Sequence, residues 1–109
     1  MKRYVIGQLS EIPQQVGKVV RLGSLEIALF RLSDGEIHAL ENRCPHKGGK
    51  LAEGIVSGPF VYCPLHDWKI CVEDGWVQAP DRGCVRSFPV QIVGQQVIIE
   101  LPEEAKHVS

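Results

Sequence analysis

The chain of 109 residues is 44% apolar, with 12 Lys and Arg against 13 Asp and Glu and a net charge of −1. That is enough apolar material for one core, and the balance leaves no basic footprint for nucleic acid or an anionic membrane. No signal-peptide core follows the basic residues of MKRYVIGQLSEIP and no apolar run approaches the length of a membrane span, so the chain is expected to be soluble and cytoplasmic.

The apolar pattern is short, alternating or continuous, and never helical over a long window, which predicts strands. KVVRL (18–22) and LEIALFRL (25–32) flank a Gly23-Ser24 turn, and Asp34-Gly35 is a hairpin signal leading into EIHALE (36–41). FVYC (60–63) and WKICVE (68–73) come next, and Asp74-Gly75 turns the chain into WVQ (76–78). VRSFPVQIV and QQVIIEL form a last pair of strands around Gly94. Short strands with frequent turns, 11 Gly and 7 Pro predict an all-β fold, a small antiparallel β sandwich or barrel. The reading is one domain over 1–109, with a core at about 4–101 and a frayed tail at 102–109.

Cys44 and His46 fall in the loop after one strand, and Cys63 and His66 in the loop joining the next two. Each loop supplies one thiolate and one imidazole, and together they make a complete set of four ligands. Three chemistries can use it. Structural zinc accepts a Cys2His2 set, but zinc knuckles group like ligands in close pairs, whereas here each loop mixes the two kinds. A Cys nucleophile activated by His needs only one such pair and an orienting third group, which nothing marks. A 2Fe-2S cluster with two thiolates on one iron and two imidazoles on the other explains the interleaving, because each loop then serves both irons. Gly48 and Gly49 permit close backbone approach, and Pro45 and Pro64 stiffen their loops. The cluster is the preferred reading and zinc the alternative.

The pattern C-x-H, sixteen residues, C-x2-H resembles that of Rieske proteins at Cys44, His46, Cys63 and His66. The resemblance implies a Rieske-type β domain with a two-loop cluster-binding tip, and all four residues as cofactor and metal ligands. QAPDRG (78–83) resembles the family's third loop, in which Pro80 either covers the cluster or is an ordinary turn residue. The Rieske subunits of respiratory and photosynthetic complexes have a membrane anchor and a disulfide between the cluster loops. Neither is expected here, and for the disulfide the residues are wrong: Lys47, Gly48 and Gly49 follow the first His, and Leu65 precedes the second. Asp67 and Trp68 stand where those proteins place a hydrogen-bonding Ser, so a lower potential is expected.

ENRCPHKGGKLAEGIVSG, CPLHDWKI and VQAPDRGCVRSFPV resemble the small subunit of assimilatory NAD(P)H-dependent nitrite reductase over about residues 36–101. That resemblance implies electron relay in the reduction of nitrite to ammonium, in partnership with a large catalytic subunit carrying siroheme, FAD and the NAD(P)H site. No activity is expected of the isolated chain, which lacks a G-x-G-x-x-G. Cys71 departs from that subunit and is closer to ferredoxins of aromatic-ring dioxygenases, the second reading; a zinc-stabilised interaction module is the third. His46 and His66 are expected to present their outer ring edges near the surface, as an electron exit whose protonation follows oxidation state.

The remaining candidates have plain readings. Cys71 and Cys84 are half-buried free thiols, and His38 is a surface or edge-strand imidazole. Trp68 either packs in the core or shields the site, and Trp76 pairs across a hairpin. Lys47 and Lys50 are solvated cations beside the first loop.

Overall fold

A computed structural model describes residues 2–43, 49–65 and 67–101. The expectations on Cys44, Pro45, His46, Lys47, Gly48, His66 and the tail at 102–109 fall outside the described residues.

The fold is all-β and antiparallel. The first strand, β1 (Lys2–Gln8), leads through a 3-10 turn at Leu9–Glu11 into β2 (Gly17–Leu22), β3 (Leu25–Arg31) and β4 (Ile37–Glu41). A second 3-10 turn at Leu51–Glu53 precedes β5 (Ile55–Ser57), β6 (Phe60–Tyr62) and β7 (Lys69–Cys71). The chain ends with β8 (Ser87–Phe88), β9 (Val90–Val93) and β10 (Gln96–Leu101). These make three sheets, ordered β2-β3-β4-β8, β1-β10-β9 and β5-β6-β7.

The first sheet is the centre of the molecule, and the period-2 geometry of its strands sends side chains to both faces. Ile27 and Leu29 of β3 join Ile37, Ala39, Phe88, Val97 and Ile99 in one apolar cluster, under the β1-β10-β9 sheet. Ala28, Phe30 and Leu32 join Leu40, Leu51, Val61, Cys63 and Ile70 in the other, under the β5-β6-β7 sheet. The central strand is therefore buried on both sides, which is why LEIALFRL reads as a continuous apolar run rather than an alternating one. Among the described residues, an apolar cluster lies on each side of one sheet where the composition implied a single core.

The Asp34-Gly35 hairpin joins β3 to β4 as expected, with the Glu36 N–H donating to Asp34 Oδ1 at 2.9 Å. Gly35 has φ +95°, a conformation only glycine adopts without strain. VRSFPVQIV departs from the expected single strand. It breaks at Pro89, which cannot donate to a ladder, so β8 pairs with β4 while β9 pairs with β10 in the other sheet. The segment thereby crosses from one layer to the next.

Candidate metal centre

The second loop leaves β6 at Cys63 and returns at Trp68. The Cys63 N–H donates to the Trp68 carbonyl at 2.9 Å, and the Asp67 N–H donates to the Cys63 carbonyl at 2.9 Å. Both backbone polar groups of Cys63 are thus satisfied inside a six-residue loop, which fixes the direction of its side chain. Asp67 has φ +56°, in the left-handed region that Asp tolerates better than most residues. The Cys63 thiol is fully buried in the apolar cluster between the central and the β5-β6-β7 sheets, and it forms no disulfide.

The two loops meet. Gly49, in the first loop, lies so close that a Cβ there would stand 3.0 Å from Cys63 Sγ and 3.1 Å from Leu65 Cγ. Only a residue without a side chain leaves the thiol this space. Cys63 is the one expected ligand among the described residues, and a free, buried thiol that even a methyl group at Gly49 would crowd has the chemistry of a metal or cluster ligand.

Asn42 anchors both ends of the first loop, and it was not picked out from the sequence. Its side chain, 4% exposed, accepts the Ala52 N–H at 2.7 Å and donates to Glu26 Oε1 at 3.1 Å. Its backbone N–H donates to the Glu26 carbonyl at 2.9 Å. The Glu26 carboxylate also takes Lys50 Nζ and pairs with Arg21 at 2.8 Å. The hydrogen bond from Lys50 is the main cause holding the Glu26 carboxyl below its usual range, against the opposing effect of desolvation. Lys50 is therefore more than a solvated cation. The signal for Asn42 in the sequence is only its position two residues before Cys44; the contact that matters is with residues 26 and 52.

The third loop lies beside the second. The Gln78 N–H donates to the Lys69 carbonyl at 2.8 Å, and the Val77 N–H donates to the Gly83 carbonyl at 2.9 Å, closing residues 78–82 into a turn. Pro80 is exposed within it. Trp68 is partly buried against the apolar cluster, as core packing requires. Trp76 pairs with Cys84 across a bridge and is 57% exposed. Cys71 is half-buried as expected, and burial pushes its thiol up, with backbone hydrogen bonds from Glu73 and Asp74 partly offsetting the effect. Cys84 is a correction: it is exposed, because its strand partner is the outward-facing Trp76. His38 is corrected in part. It is half-buried, and β4 is flanked by β3 and β8 rather than lying at an edge.

A free, buried thiol beside Gly49 in an all-β domain is compatible with the chemistry of a metal-cluster carrier. A family profile described as "Rieske [2Fe-2S] domain" matches residues 2–89. The ferredoxin component of the naphthalene 1,2-dioxygenase system of Pseudomonas aeruginosa is 35% identical over 94 residues, covering 85% of this chain and 89% of that one. Among solved structures, the ferredoxin of carbazole 1,9a-dioxygenase from Nocardioides aromaticivorans superposes with a TM-score of 0.86 at 21% identity, over 94% of this chain and all of that one. A chain described as a candidate NADH-dependent nitrite reductase small subunit of Mycobacterium tuberculosis superposes at 0.84 with 23% identity, over 93% and 96% of the two chains. The chain belongs to the Rieske [2Fe-2S] domain family. It is an electron-transfer protein of that class, and the domain implies a 2Fe-2S cluster. No helix among the described residues is long and apolar enough to cross a membrane.

Proposed function

We propose that this chain is the electron-carrying small subunit of an NAD(P)H-dependent nitrite reductase, with Cys44, His46, Cys63 and His66 holding the cluster. The observation that carries the nitrite reductase reading is the sequence run CPLHDWKI with its flanking ENRCPHKGGKLAEGIVSG and VQAPDRGCVRSFPV, which resembles those subunits over residues 36–101. When bound, the cluster supplies one-electron transfer at a fixed position. The chain's own residues do the rest. Cys63 offers a thiol whose approach is set by the 63–68 backbone, Gly49 leaves it room, and Asn42 ties down the loop that carries Cys44 and His46. Leu65, 51% exposed at the head of the second loop, is suited to lie against a partner. Siroheme, FAD and NAD(P)H belong to the large subunit, and the isolated chain reduces no nitrite.

The second reading is the ferredoxin component of an oxygenase system, favoured by the 35% identity to such a ferredoxin. The fold does not separate the two, since structures bearing both descriptions superpose equally well. Purification of the tagged chain from cells that contain both kinds of partner separates them. Under the nitrite reductase reading the large subunit co-purifies, and adding the chain restores nitrite-dependent NAD(P)H oxidation to a large subunit prepared without it. Electron delivery to an oxygenase, with no association with the reductase large subunit, overturns that reading and leaves the family assignment standing.

A further inference from the structure

We propose that Glu36, His38 and Glu73 form a second metal site, for a divalent cation of the zinc type, at the end of β4 and β7 away from the cluster loops. The three side chains each offer one ligand atom, and those atoms lie within 4.8 Å of one another. They come from two parts of the chain, the start of β4 and the turn after β7, so their meeting is a product of the tertiary fold. One imidazole with two carboxylates is a donor set that zinc accepts, leaving a fourth position for water.

Three further features favour an ion over a chance cluster. The His38 side chain is only 22% exposed, so its ring is held by packing, and its Nε2 stands 3.1 Å from Glu36 Oε1. No lysine or arginine among the described residues pairs with Glu36 or Glu73, so two carboxylates stand together without a compensating cation. His38 and Glu73 also line an open cleft with Ser87 and Phe88, which gives an ion an entry path and room for water. Ligand atoms around tetrahedral zinc stand about 3.4 Å apart at bond lengths of about 2.0–2.1 Å. Both glutamates are exposed, so rotation of their side chains closes the present spacing without moving the backbone.

The site is distinct from the cluster. His38 precedes Cys44 by most of β4, and Glu73 lies beyond the opposite end of β7 from Trp68. A cation held there bridges β4 to the turn after β7 and stabilises the folded chain by mass action.

The test uses Zn2+ alone as the probe, added to the cluster-loaded chain, with bound zinc measured after equilibrium dialysis. The expected result is one zinc per chain at low micromolar concentration, with affinity reduced at least about tenfold in Glu73→Gln and in His38→Gln, and the cluster absorbance unchanged. Glu73→Gln alters an exposed side chain far from the two loops, so any zinc taken up by the cluster ligands persists in it and is counted separately. Absence of zinc binding by the wild-type chain at millimolar concentration overturns the proposal. So does equal binding by the wild type and Glu73→Gln.

Discussion

Cys63 shows how much of a thiol's placement is set by its neighbours. Its two backbone hydrogen bonds to Trp68 and Asp67 point the side chain, the apolar cluster keeps water from it, and the missing side chain of Gly49 leaves it space. Substituting Gly49→Ala puts a methyl carbon 3.0 Å from the sulfur and 3.1 Å from a Leu65 carbon, closer than ordinary van der Waals contact. The variant is expected to fold, with a near-native circular dichroism spectrum, and to hold markedly less iron per chain than the wild type. Unchanged iron content would show that the two loops do not constrain one another at Gly49. The family was legible from the spacing of Cys44, His46, Cys63 and His66, because Cys and His are rare and chemically specific. Asn42 was not legible, since a lone Asn two residues before a cysteine signals nothing until residues 26 and 52 are known to meet around it.

At the scale of elements, β3, β4 and the 3-10 turn at Leu51–Glu53 are joined by that one buried amide. Asn42→Ala leaves the buried Ala52 N–H without its acceptor and is expected to cost about 1–3 kcal/mol in denaturant unfolding, with faster loss of the cluster. A cost near zero would mean that water replaces the amide. Glu26 adds a pH dependence to the same junction. Its pKa is lowered in the folded state, chiefly by the hydrogen bond from Lys50, so its contribution is present above the unfolded carboxylate value and is lost as pH falls through the folded value. The stability difference between wild type and Glu26→Gln should therefore be largest near neutral pH and shrink below the usual carboxylate range. A difference constant from neutral to acid would contradict the pairing. The hairpins at Gly23, Gly35 and Gly94 were legible from turn chemistry, and β3 from its unbroken apolar run. β1 and β5 were missed for different reasons. β1 finds its partner only in β10, at the other end of the chain, and β5 is three residues long with Ile55 73% exposed, so neither carries a local pattern. Pro89 sat inside an apolar run that looked like one strand, and only the sheet switch explains it.

Across the whole molecule, the central sheet carries two apolar clusters that serve different ends. One closes the β1-β10-β9 layer over it; the other seats the β5-β6-β7 sheet, and with it Cys63. The end of the molecule that holds Cys63 thus shares its core with the scaffold. The family and its electron-transfer role follow from residues 2–89. The most direct test of the central claim is an EPR spectrum of the anaerobically purified, reduced chain, with iron and sulfide assayed on the same sample. Expected are about two iron and two sulfide per chain, a signal of low average g from a cluster with histidine ligands, and loss of that signal in Cys63→Ser. A colourless chain holding zinc at the same residues after attempted cluster reconstitution, or a Cys63→Ser variant with its signal intact, would contradict it.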